Sequence, residues 1–213
     1  MKKSVYSITL HDEVVRAADR AAYRCGLTRS GLINKILAEH LGLDTPETRQ
    51  ENFFTEMVRL MTGDEDFLIH SEGKTSPFAV KSSLRFKYNP TIRYSVVLYN
   101  EGGEYFGEVR AALRTQNPSL ISELDVFFAM WQKLEDAYFA ERLSDFGGGR
   151  FVRKLRGRSG ATPEELGKSV SKYIRHLNNG ISAHFSLYPD MNASATYVFT
   201  LYGDYIKRNS DIV

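Results

Sequence analysis

The chain has a single cysteine, Cys25, in 213 residues, so no internal disulfide can form and a cysteine-rich zinc site is excluded. Charge of one sign is lacking too. The 28 Lys and Arg against 26 Asp and Glu leave a formal net charge of +2, too little by itself to argue for a polyanionic partner. No apolar run approaches the length needed to cross a bilayer, and no apolar leader segment follows Lys2 and Lys3. A cytoplasmic protein with no membrane partner is expected. Signatures of catalysis are also missing: the five histidines form no HExxH arrangement, and no serine lies in GxSxG. No catalytic residue, no cofactor and no metal site is therefore expected, and the chain reads as a non-enzyme.

What remains is the composition of an ordinary globular protein, 42% hydrophobic and 12% aromatic, long enough for a small module plus a larger one. The opening stretch KSVYSITLHDE alternates. Val5, Ser7 and Thr9 fall on one side of an extended strand, and Tyr6, Ile8 and Leu10 on the other. The residues that follow read as two helices. Asp12 and Glu13 suit the positive end of a first helix, Val14, Val15, Ala18, Ala21, Ala22 and Cys25 give it an apolar stripe, and Gly26 is a stop signal. Cys25 is thereby expected to be a small buried hydrophobe. Thr28 caps a second helix carrying Leu32, Ile33, Ile36, Leu37 and Leu41, which Gly42 ends.

Some forty residues seldom hold a core without a partner. The lone strand is therefore expected to pair antiparallel with the same strand of a second copy. Residues 1–44 also hold seven basic groups against five acidic ones, an excess that a dimer doubles.

A strand, an acidic helix start, the GLTRSGLI turn and an apolar second helix together resemble the ribbon-helix-helix family of bacterial repressors, whose two-stranded ribbon enters the major groove. The resemblance covers about a fifth of the chain. It implies that the outward ribbon residues Val5, Ser7 and Thr9 touch base edges and that Thr28, Arg29 and Ser30 grip a phosphate. A helix N-terminus suits an anion on independent grounds. Family members commonly carry long basic or amide side chains on the ribbon, whereas the groups here are small and discriminate less. Lys2 and Lys3 are expected to add phosphate contact. The plainer alternative for this segment is a dimerisation cap.

Pro46, after Asp44 or Thr45 as cap, starts a third helix lined by Phe53, Phe54, Met57, Val58, Leu60 and Met61. Strands are then expected in KSSLRFKY, TIRYSVVLY and EYFGEVRAALR as an antiparallel meander. One face would carry Leu84, Phe86, Tyr88, Ile92, Tyr94, Val96, Leu98, Val109, Ala111 and Leu113. The other would show Arg85, Lys87, Arg93, Arg110 and Arg114 with Tyr99 and Phe106. Such a face suits single-stranded nucleic acid or a nucleotide, or it is solvated, or the next helix covers it. That helix follows Pro118 and Ser119, with a wide stripe from Leu120 to Phe139.

Arg150, Arg153, Lys154, Arg156 and Arg158 crowd among glycines in FGGGRFVRKLRGRSG, without the spacing of a phosphate loop. This segment reads as a mobile or tightly turned loop, with a secondary DNA or anion contact open to it. Thr162, Pro163 and Glu165 form a capping box that starts another helix. ISAHFSLY and ATYVFTLY read as a closing pair of strands, a helical reading being the alternative.

The expected fold is therefore α+β: a ribbon-helix-helix dimerisation module over residues 1–44, then an α+β domain with an antiparallel sheet and long helices over 45–213. The expected function is sequence-specific DNA binding as a transcriptional repressor. The alternative is a plasmid or mobile-element accessory protein using the same module for partition or relaxosome assembly. Expected partners are double-stranded DNA and a second copy of the chain, with pairing into tetramers and an effector of unspecified chemistry left open.

Overall fold

The computed structural model describes residues 4–69, 78–84, 86, 89–99 and 103–208. The chain divides into two compact units, residues 1–52 and 53–213. The expected boundary after residue 44 is displaced into a helix, and the reason is local. The first turns of α3 (Pro46–Met61) belong to the smaller unit through Lys35–Glu51 and Asp44–Arg49 ion pairs, whereas Phe53, Met57 and Met61 on its later turns are buried in the larger core.

In the smaller unit, α1 spans Asp12–Cys25 and α2 spans Arg29–His40. Gly26 ends α1 in the left-handed conformation at φ 65°, and its N–H reaches back to Ala22 and Tyr23 carbonyls. Thr28 caps α2, its hydroxyl accepting from the Gly31 N–H at 3.1 Å. Thr45 plays the same part for α3, accepting from Thr48 N–H. Cys25 corrects its expectation: it is exposed, because Ala22 occupies the inward position of that turn.

Among the described residues no strand precedes Leu68, so the strand expected at residues 4–10 is not formed within the chain. A strand exists only when its N–H and C=O groups find a neighbour, and the chain's own sheet holds none for it.

The larger unit contains β1 (Leu68–Ile69), β2 (Phe78–Ser83), β3 (Thr91–Leu98), β4 (Tyr105–Arg114), α4 (Pro118–Phe139), β5 (Ser144–Gly147), β6 (Arg150–Arg156), α5 (Pro163–Leu187) and α6 (Met191–Arg208). The strands form one antiparallel sheet in the order β1-β2-β3-β4-β6-β5. Its inward face carries Val80, Ile92, Tyr94, Val96, Val109, Ala111, Phe151 and Leu155. The buried sides of α3, α4, α5 and α6 share that core, giving the two-layer α+β arrangement. Tyr94 donates to Asn178 Oδ1 of α5 at 3.1 Å across the layers.

Three expectations change here. The first strand of the meander begins at Phe78, earlier than KSSLRFKY, and Arg85, Lys87 and Tyr88 lie outside the described residues. Of the two readings of the glycine-rich stretch, mobile or tightly turned, the structure has the second, and the residues after the glycines form strand β6 of a hairpin rather than a loop. Gly148 and Gly149 adopt φ of 61° and 72°, which only glycine does without strain, and their N–H groups donate to the Asp125 carboxylate at 2.9 and 2.8 Å. The closing strands are instead the ends of long helices. Ile174, Leu177, Ile181 and Phe185 continue one helical stripe through ISAHFSLY, and Val198, Tyr202 and Tyr205 carry another through ATYVFTLY.

The α4–α5 crossing is close at Gly180, where an added Cβ would lie 2.9 Å from the Trp131 ring and 3.1 Å from that of Phe127. Gly180→Ala should therefore lower unfolding free energy by about 1–3 kcal/mol, despite the better helix propensity of alanine. Urea titration checks it; an unchanged or raised midpoint would show that the crossing has slack.

Candidate nucleic-acid interface

The smaller unit buries little. Ala22, Leu32 and Ala38 are its buried apolar residues, while Val14, Ile36, Leu37, Leu41 and Leu43 on and after the helices remain exposed. Residues 4–10 are exposed throughout, with Val5 99%, Tyr6 84% and Ile8 61% accessible. Both sides of the alternating segment are open. Val5, Ser7 and Thr9 are accessible, and so is the apolar side that would face a partner strand.

At the start of α2, Thr28, Arg29 and Ser30 lie together, the Thr28 and Ser30 hydroxyls 3.5 Å apart. Arg29 forms a forked pair with Asp19 of α1, Nε and Nη2 each 2.6 Å from a carboxylate oxygen. These hydrogen bonds hold the Asp19 carboxyl below the usual carboxylate range. Both partners are about half exposed, so the pair is screened and readily exchanged for another anion. Lys2 and Lys3 lie outside the described residues.

The second basic cluster does not stay together. Arg150, Lys154 and Arg156 point outward from β6, while Arg153 points inward with Phe151 and Leu155 and is fully buried. Its Nε donates to Glu135 Oε1 of α4 at 2.7 Å, and its guanidinium lies 4.6 Å from the Tyr173 ring centre. Tyr173 donates to the same Glu135 oxygen at 2.8 Å and accepts from Trp131 Nε1 at 3.2 Å. Burial pushes the Tyr173 pKa well up, so the hydroxyl remains a donor to the carboxylate. Arg153 is thus part of the core and no DNA contact. Arg156 is taken up by Glu104 and Glu141, and Arg158 approaches Glu165 at 3.9 Å. Strand alternation in RFVRKLR was the signal for this division; reading the segment as a loop hid it.

A hydroxyl–imidazole–carboxylate trio also went unseen in the sequence, because its members come from three helices. His184 Nδ1 lies 2.7 Å from Ser194 Oγ, and Nε2 lies 2.8 Å from Glu123 Oε1, the latter poorly aligned for a hydrogen bond. In an acyl-transfer triad the hydroxyl meets the substrate. Here Ser194 is buried and Glu123 is the partly open member, so the trio joins α4, α5 and α6 rather than presenting a nucleophile. Among the described residues no three His, Cys, Asp or Glu side chains gather as a metal site requires. None of the described helices is long and apolar enough to cross a membrane.

The buried ionisable groups can be tested through stability. Arg153→Met should cost about 3–5 kcal/mol because it strands the Glu135 charge, and adding Glu135→Gln should restore much of that in urea unfolding; a double variant no better than the single one would contradict the pairing. Burial holds His184 and His176 below the ordinary histidine range, against the pull of Glu123 on His184. Their neutral forms favour the folded state, so stability is full above about pH 6.5 and is lost as pH falls through the lowered folded values. His184→Gln should flatten the denaturant midpoint between about pH 7 and 5; an equally steep acid loss would assign it elsewhere. No protein-family model, curated protein or solved structure matches this chain.

Proposed function

We propose that the chain is a sequence-specific DNA-binding transcriptional repressor that docks in the major groove as a homodimer through a ribbon-helix-helix module at its N-terminus. One observation carries this reading: an exposed segment of alternating sequence, without a strand partner among the described residues of its own chain, precedes a two-helix unit whose own apolar residues are mostly uncovered. An exposed apolar surface of this kind marks an interaction site. A second copy suits it, because pairing residues 4–10 antiparallel satisfies their backbone groups and turns Tyr6, Ile8 and Leu10 onto both helix pairs. Val5, Ser7 and Thr9 are then presented outward for base edges.

The start of α2 supports the same reading. Thr28 caps the helix, free N–H groups there suit a phosphate, and Arg29 can trade its exposed Asp19 partner for that phosphate. Contact with Arg29 would be sequence-independent, whereas contact with Thr9 would be specific.

In solution the protein should sediment as a dimer, with residues 4–10 protected from amide hydrogen exchange. A monomer with rapid exchange there would remove the ribbon. Arg29→Ala should weaken binding to all duplexes alike and reduce the salt slope by about one for each phosphate it releases, while Thr9→Val should shift the base preference in a selection experiment. An unaltered slope, or an unaltered preference, would strip the corresponding residue of its role.

A further inference from the structure

The outward face of the larger sheet is unlike its inward one. At alternate positions β3, β4 and β6 carry Arg93, Arg110, Arg114, Arg150 and Lys154, and none of the outward residues on these three strands is buried. The register aligns them. Lys81 of β2 lies directly opposite Arg93, Arg93 opposite Ala112, and Ala112 opposite Arg150, so one row across four strands holds three cations around a single methyl group. With strands about 4.8 Å apart, this row spans roughly 15 Å. Like charges directly opposite each other oppose sheet formation. The fold accepts them here: Glu108 of β4 is held by Arg110 and by the Tyr99 hydroxyl, and Asp145 of β5, opposite Val152, is an exposed carboxylate on the neighbouring edge strand.

The occupant that fits is a polyanion. A second copy of the same face would set cation against cation. Stacked bases are also disfavoured, because the residues between the cations are Thr91, Ser95, Ala112 and Val152. Phe106, expected on this face, is the extra residue of a β-bulge between Tyr105 and Gly107 and packs against Phe53 of the core. The rings on this face are already engaged, Tyr105 lying beneath Lys154 and Arg156 at 5.0 and 5.5 Å and Tyr99 tied through its hydroxyl to Glu108, so single strands gain little stacking and the backbone of a duplex remains.

We infer that the open face of this sheet binds the phosphate backbone of double-stranded DNA, as a second and sequence-independent contact in addition to that of the N-terminal module. It does not require the ribbon reading to hold, since the residues belong to the larger unit alone.

The test uses the full-length chain and a triple variant, Arg93→Gln, Arg114→Gln and Arg150→Gln, with Arg→Lys at the same positions as the charge-retaining control. Arg114 and Arg150 are exposed and Arg93 is half-buried on the same face, so the melting temperature should change little. On a duplex of arbitrary sequence, the slope of log affinity against log salt should fall by roughly 2.7 per chain, about 0.9 for each phosphate no longer neutralised. The lysine variant should keep the slope, and base preference in a selection experiment should be unaltered. An unchanged slope in the glutamine variant overturns the proposal, as does a loss confined to single strands or to polyglutamate, which would assign the face to unpaired nucleic acid or to an acidic protein. Arg29→Ala, measured alongside, separates the outcomes: a slope reduced there but not in the triple variant leaves the N-terminal reading standing and this one refuted.

Discussion

Glu135 and Arg153 face each other, fully buried, inside a largely apolar core, and that ion pair favours the register β6 takes on β4 over its neighbours. A slip by one residue would turn Arg153 outward and carry Lys154 and Val152 inward, leaving Glu135 charged and without its partner. The pair need not add net stability, since taking two charges out of water costs about what their attraction returns. Its effect is to make the alternatives worse. Tyr173 and Trp131 extend the constraint to α5 and along α4, and Asp125, earlier on α4, holds the glycine turn that leads into β6. A hairpin at the edge of the sheet is thereby seated from the helical layer.

The two units differ in how completely they satisfy themselves. The larger one closes a core of aromatic and aliphatic side chains between sheet and helices, with buried polar groups paired in the Glu135 and His184 clusters and in the Tyr94–Asn178 bond. The smaller one has well-capped helices and almost no interior. Local signals therefore determine its secondary structure, and association is what its apolar residues lack. This contrast is why the DNA-binding proposal rests on the smaller unit although it holds a quarter of the residues.

Much of the local architecture was legible in the sequence. Thr28, Thr45 and the Thr162–Glu165 box cap their helices, Gly26 ends α1, and the alternations of β3 and β4 have the inward faces their patterns imply. What failed has a common cause, the length of the window read. ISAHFSLY alternates over eight residues and looks like a strand, yet Ile181 and Phe185 also continue a helical stripe from Ile174, and only the longer span separates the two. Glycines drew RFVRKLR into a loop although its own residues alternate cleanly. Phe106 left its expected face because a bulge, which adds one residue to a strand, reverses the alternation beyond it. The Glu135–Arg153–Tyr173 and Glu123–His184–Ser194 groups unite residues far apart in the chain, and no spacing announces them.

Cys25 lies exposed on the last turn of α1 and is the sole thiol of the chain. A maleimide fluorophore would consequently attach once per molecule, with no engineering of the protein. Since the carrier helix lies within the unit left most in need of company, donor- and acceptor-labelled batches mixed together would register the meeting of two molecules as energy transfer.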